Sequence, residues 1–176
     1  MALSAGATIK PGSSPGRLTV GGNLTLPANS VYFWELGGNT TAGPGTNWSQ
    51  VTMTSGNLSV AAGAILVPAF VGTATQPNGS DPFWQSPQQW NNVIDLTGTA
   101  ANPTGATALT INNAAWSAFG SFSTVPATVG GGVALLWTPV PEPTHLLLLC
   151  CGAAAGARLI RRRSAASEVR RGAHRG

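Results

Sequence analysis

The first 139 residues contain no histidine and no cysteine, and only five charged side chains: Lys10, Arg17, Glu35, Asp81 and Asp95. Each scarcity excludes a class of chemistry. Without cysteine the body cannot be a disulfide-stapled fold. Without histidine or cysteine it has no ligands for a zinc-type centre and no base for a Ser-His-Asp arrangement, so neither a metal nor another cofactor is expected. Two cations against three anions leave a net charge of −1. A nucleic-acid face needs basic residues to neutralise phosphates, so no nucleic-acid partner is expected. The remaining catalytic option is a carboxylate pair, Asp81 with Asp95 or Glu35, of the glycosidase kind. Isolated acids in polar loops more often cap turns, and the body is read as non-enzymatic.

The overall net charge of +4 belongs to the end of the chain. Residues 140–176 carry seven arginines against Glu142 and Glu168, a net of +5. Low charge with 23 Gly and 13 Pro suggests disorder at first sight, but 43% of the residues are hydrophobic, with six Trp and five Phe to bury. Disordered chains combine low hydrophobicity with high charge. A folded, turn-dense, mainly β body is expected over residues 1–139.

Its organisation is visible as a repeat. Gly22-Asn23-Leu24-Thr25-Leu26-Pro27-Ala28-Asn29-Ser30-Val31 aligns with Gly56-Asn57-Leu58-Ser59-Val60-Ala61-Ala62-Gly63-Ala64-Ile65 at an offset of 34 residues. Gly16-Arg17-Leu18-Thr19-Val20 is a shorter echo. Leucine or valine alternates with a polar residue in each copy, the period-two signature of half-buried strands, and Gly-Asn or Gly-Gly punctuates them as turns. Short strands repeated in this way are the mark of a β-solenoid, whose rungs bury their faces against neighbouring rungs. Two and a half rungs suit a solenoid end, a cap, or a small β-sandwich-like body. Further strands are expected at Ser30–Leu36, Trp48–Met53, Ala64–Val71, Val93–Thr97, Thr107–Asn112 and Gly132–Thr138. Gly72–Gln89 is expected to be a loop, and Asn112–Phe122 a short helical turn or loop. Trp84 and Trp90 lie in or beside the Pro/Gln/Asn-rich stretch. They are candidates for glycan stacking, the alternative being that they cover the core beneath a long loop.

The end of the chain has a different character. Thr138-Pro139-Val140-Pro141-Glu142-Pro143 cannot be a helix interior and reads as an extended tether. From Leu146 to Ile160 the sequence is apolar except for Arg158, and Arg161-Arg162-Arg163 closes it. A helix over residues 144–160 would reach only the lower limit of a ~30 Å hydrocarbon core. Its leucines and isoleucine favour insertion by about 3 kcal/mol, a marginal value. Arg158 can snorkel to the interface, and Cys150 and Cys151 are read there as small apolar residues, with lipidation or a vicinal disulfide as the alternatives. The arginine cluster holds the C-terminus on the cytoplasmic side and puts the body outside.

Val140-Pro141-Glu142-Pro143, the apolar run and Arg161 to Arg163 together resemble the PEP-CTERM sorting signal of exopolysaccharide-producing bacteria. The resemblance implies recognition by an exosortase, a membrane-embedded cysteine transpeptidase. It implies cleavage near Pro141-Glu142-Pro143 and release or attachment at the cell surface, with extracellular polysaccharide as a further partner. Residues 140–163 would be the sorting segment and 164–176 a basic tail. Pro11–Leu26, Val31–Leu36 and Trp48–Val51 resemble the closing rungs of autotransporter-associated β-strand repeat proteins, a family of repeats and display with no common enzymatic activity. Met1 to Lys10 has no signal-peptide pattern and already reads as a rung. The chain is therefore expected to be the C-terminal part of a longer exported protein, or one whose start is misassigned. The reading is a non-enzymatic surface or matrix protein, with a carbohydrate-binding module using exposed Trp84 and Trp90 as the alternative.

Overall fold

The computed structural model describes residues 1–102, 109–128 and 130–141. Met1–Val140 forms one compact unit, and it is mainly β. Its strands are β1 (Thr8–Ile9), β2 (Arg17–Gly21), β3 (Leu24–Leu26), β4 (Val31–Leu36), β5 (Gln50–Ser55), β6 (Leu58–Val60), β7 (Ile65–Phe70), β8 (Gln88–Leu96), β9 (Gly120–Pro126) and β10 (Val133–Pro139).

The 34-residue repeat is one turn of a coil. Leu24 pairs with Leu58, Leu26 with Val60, and Val31 with Ile65, all in parallel. The chain makes three sides per turn, and each side stacks on its counterpart: β1-β4-β7, β3-β6, and β2-β5-β8. The echo at Gly16–Val20 is not a turn of its own. Arg17–Val20 pairs with Gln50–Met53, so it is another side of the turn that contains β3.

Corner chemistry explains the repeat. Asn29 and Gly63, aligned by the offset, both have positive φ, 62° and 84°. Asparagine and glycine are the residues that tolerate this region. The corner closes identically in each copy, Ser30 N–H on Pro27 O and Ala64 N–H on Ala61 O, both at 3.1 Å. Ser4–Ala7 makes the same corner one turn earlier, with Gly6 at +78°. At the other corner the Asn23 side chain accepts from Asn57 N–H at 2.9 Å, stitching one Gly-Asn turn to the next.

Alternation within the strands sets the core. Val20, Met53 and Leu96 stack on one another facing inward, as do Leu24 and Leu58. Tyr32 crosses the interior from β4 and donates to Val93 O at 2.8 Å, with Ser49 O at 3.2 Å. Burial pushes this hydroxyl far above its ordinary pKa, so it remains a donor.

The far end of the coil departs from the repeat. β10 pairs antiparallel with β8 and with β9, closing the five-stranded sheet β2-β5-β8-β10-β9. The free edge of β9 is partly covered by Asn113, whose side-chain amide accepts from Phe122 N–H and donates to Phe122 O. Aromatic rings fill this end: Trp84 packs edge-on to Phe70, Phe83, Phe122 and Trp137 at centroid distances of 4.8–6.0 Å.

Several expected elements differ. β8 begins at Gln88, five residues before the expected Val93, because its polar first half is held by β10 rather than by a hydrophobic pattern. Ala114–Phe119 forms turns within the expected turn or loop, but Gly120 to Pro126 is a strand. Trp48–Met53 is shifted to Gln50–Ser55. Of Thr107–Asn112, residues 107–108 lie outside the described residues, and Thr110 makes a single parallel bridge to Ile65. No helix among the described residues is long and apolar enough to cross a membrane. The expected membrane helix 144–160 lies outside them, as do Glu142, Pro143 and Arg161 to Arg163.

Candidate functional site

Of the two readings weighed for Trp84 and Trp90, glycan stacking or covering the core, the structure has the second: both are core residues. Trp84 is 1% exposed and Trp90 is fully buried, so neither ring offers a face to a sugar. The physical reason is the closure of the coil's end, which needs large apolar volume where no further turn stacks. Their polar atoms are used internally: Trp84 Nε1 donates to Thr75 Oγ1 and Trp90 Nε1 to Thr40 O, both at 2.9 Å.

The carboxylates occupy three different settings. Glu35 is 1% exposed beneath the segment preceding β2, ion-paired with Lys10 at 3.0 Å and accepting from Ser14 Oγ at 2.7 Å. Asp81 clasps the Gly72–Pro87 loop. Its Oδ2 accepts from Thr75 Oγ1 and Asn39 Nδ2, both at 2.7 Å, and its Oδ1 from Phe83 N–H at 2.9 Å. The Thr75 hydrogen bond, then those from Phe83 and Asn39, hold its carboxyl below the ordinary value. Both acids act as structural ties. Asp95 alone faces a cleft. Among the described residues no three His, Cys, Asp or Glu side chains come together to hold a metal.

That cleft has a volume of about 390 Å³ and is lined by Arg17, Thr41, Pro44, Trp48, Gln50, Gln89, Asn91, Asn92 and Asp95. Its construction starts from the outer face of the β2-β5-β8 sheet, where Arg17 is level with Gln50, and Thr52 with Asp95. β8 then bulges. Val133 and Leu135 of β10, two residues apart, pair with Ile94 and Trp90, which are four apart. The surplus residues swing Asn91 and Asn92 out of the ladder, with Asn92 at φ +60°. Gly132 makes this possible, since a Cβ there would overlap the Ile94 carbonyl oxygen. Gln50 replaces the lost ladder contact, donating from Nε2 to Asn92 O at 3.0 Å. The opposite wall is the loop between β4 and β5. Two indoles hold it by its carbonyls: Trp48 Nε1 on Thr41 O at 3.1 Å and Trp90 Nε1 on Thr40 O. Trp90 thus supports the cleft without entering it.

The cleft is polar and mixed in charge. Partial burial raises the Asp95 carboxyl above its ordinary value, an effect that Arg17 opposes. Sequence reading passed over Arg17, Gln50, Gln89, Asn91 and Asn92, because they lie far apart in the chain and no spacing links them. The one local signal was the Gln88–Asn92 run of polar side chains beside a tryptophan, which reads as loop. Comparison of the chain with models of known protein families, with curated proteins and with solved structures finds no match.

Proposed function

We propose that this chain is the closing end of a parallel β-solenoid displayed outside the cell, brought there by a C-terminal sorting segment. On this reading residues 140–163 are a PEP-CTERM signal recognised by an exosortase. The apolar run 144–160 stops in the membrane with Arg161 to Arg163 on the cytoplasmic side. Pro141-Glu142-Pro143 is the site near which the chain is processed. The body is non-enzymatic and serves display or matrix assembly.

One observation carries the proposal. Among the described residues the last ladder hydrogen bond is Val140 N–H to Phe119 O at 2.8 Å, and the proline-bearing motif begins at the next residue. Val140 itself is 51% exposed. A processing enzyme needs an extended, accessible segment, and the prolines at 141 and 143 have no N–H to donate to a ladder. The order of tether, leucine-rich run and arginine cluster after this point suits a transient membrane stop, since its insertion energy is marginal. The alternative in which Trp84 and Trp90 bind sugar has no exposed ring to support it.

The test is fractionation of the native host with mass spectrometry of the mature C-terminus. A terminus between Pro141 and Pro143 on material outside the cytoplasm is expected. Full-length chain confined to the cytosol would overturn the proposal.

A further inference from the structure

We propose that the cleft between the β4–β5 loop and the β8 bulge is a binding site for a neutral, hydroxyl-rich saccharide. The inference does not rest on the sorting reading, and it uses a different site from the buried tryptophans.

The cleft holds unspent hydrogen-bonding capacity. Of the five charged side chains in the described residues, Lys10 and Glu35 pair with each other, and Asp81 is held by its clasp. The other two, Arg17 and Asp95, both line this cleft and form no ion pair with one another. Arg17 makes one hydrogen bond, from Nη2 to Pro44 O at 3.2 Å. Asp95 accepts none from any described residue, although it is partly buried. Its carboxylate oxygens reach the cleft's solvent, so they are open to donors from a bound ligand. Partial burial also raises its pKa, as expected for a charge lacking donors.

The amides of the cleft are also oriented. Asn91 Oδ1 accepts from Gln89 Nε2 at 2.7 Å and from Thr128 Oγ1 at 3.2 Å. This fixes both amides, leaving Asn91 Nδ2 as a donor and Gln89 Oε1 as an acceptor toward solvent. The bulge that displays Asn91 is a costly device, since it breaks the β8–β10 ladder and demands glycine at 132.

The two charges select against charged ligands. A cation is opposed by Arg17, and an anion by Asp95. A neutral polyol satisfies both, donating hydroxyl protons to Asp95 and accepting from Arg17, and its other hydroxyls suit the interleaved amides. A zwitterion would also match the two charges, but in an open cleft with exposed Arg17 such ion pairs are worth little against their hydration. A volume of about 390 Å³ lies at the small end of ligand pockets and suits one or two sugar rings.

The experiment uses the full chain, purified in a detergent without a sugar headgroup. Titration calorimetry is run against cellotetraose, xylotetraose and mannotetraose, with tetragalacturonate and free glycine as charged probes. Binding of at least one neutral tetrasaccharide is expected. Its Kd should rise by about tenfold in Asp95→Asn and in Asn91→Ala, the loss of one charge-assisted or well-oriented hydrogen bond. Ser59→Ala, on the exposed face of β6, should leave it unchanged. Wild-type melting of the exposed Asn91→Ala variant keeps the comparison independent of folding. Absence of binding by all three neutral probes overturns the inference. So does binding insensitive to both cleft variants, or tighter binding of tetragalacturonate or glycine. The sorting proposal is read from the mature terminus in the host, so either can fail alone.

Discussion

Replacing Tyr32 with phenylalanine tests how the walls of the coil are tied together. The ring is 1% exposed and projects from β4 across the interior, where its hydroxyl meets Val93 O at 2.8 Å and Ser49 O at 3.2 Å. Phenylalanine keeps the ring volume, so the cavity contribution is small. What is lost is one buried hydrogen bond, and what remains is carbonyl oxygen deprived of a donor. Net loss of such a bond costs about 1 kcal/mol, and leaving a buried acceptor unsatisfied raises this to about 1–3 kcal/mol. We take about 2 kcal/mol, equivalent to a fall of about 4–8 °C in Tm for a chain of this size. Urea denaturation followed by tryptophan fluorescence measures it, since all six tryptophans are buried or half-buried. Hydrogen exchange gives a local readout: amides of β8 near Val93 should lose protection, while Asn29 and Ser30 at the far corner should not. A loss below about 0.5 kcal/mol with unchanged protection in β8 would refute the claim that this hydroxyl ties the walls.

Two further perturbations probe the clasp and the bulge. Asp81 has a folded pKa below the ordinary 3.8, so its stabilising contribution is present above 3.8 and is lost as pH falls through the folded value. Asp81→Asn should therefore lower stability by about 0.5–1 kcal/mol at pH 7. The difference from wild type should vanish in acid below the folded value, and equal differences at both pH values would contradict the clasp. Gly132→Ala forces a Cβ against the Ile94 carbonyl and should cost about 1–3 kcal/mol, with loss of the Asn91 and Asn92 geometry in the cleft. A variant that melts like wild type, with unshifted Asn91 and Asn92 NMR signals, would show that the bulge does not need glycine there.

Local chemistry by itself determined the repeating part of this protein. The Gly-Asn corners, the positive-φ pair Asn29 and Gly63, and the alternation of Leu24-Thr25-Leu26 with Leu58-Ser59-Val60 specify short strands at a fixed offset. A corner needs only the few residues within it, and a strand's inner face only a period of two, so both are legible in a linear string. Ser30–Leu36, Ala64–Val71 and Gly132–Thr138 are found within one or two residues of their expected positions for the same reason. The echo at Gly16–Val20 was legible as a strand but not as to its partner, because period two says which face is buried and nothing about which strand lies beside it.

Most of the closing end, β10 apart, was decided by tertiary structure. Gln88-Gln89-Trp90-Asn91-Asn92 has the composition of a loop, and becomes strand and bulge only because β10 lies against it. Trp84 and Trp90 in a polar stretch could be read either as platforms or as core cover, and they are buried because the end of a coil leaves an apolar opening that some segment must fill. The cleft brings Arg17, Gln50, Asn91 and Asp95 onto one surface from three successive turns. Turns 33 to 43 residues apart in the chain become neighbours only through backbone pairing between strands. A string of residues records the corners that start each turn, while the site depends on the register in which those turns stack.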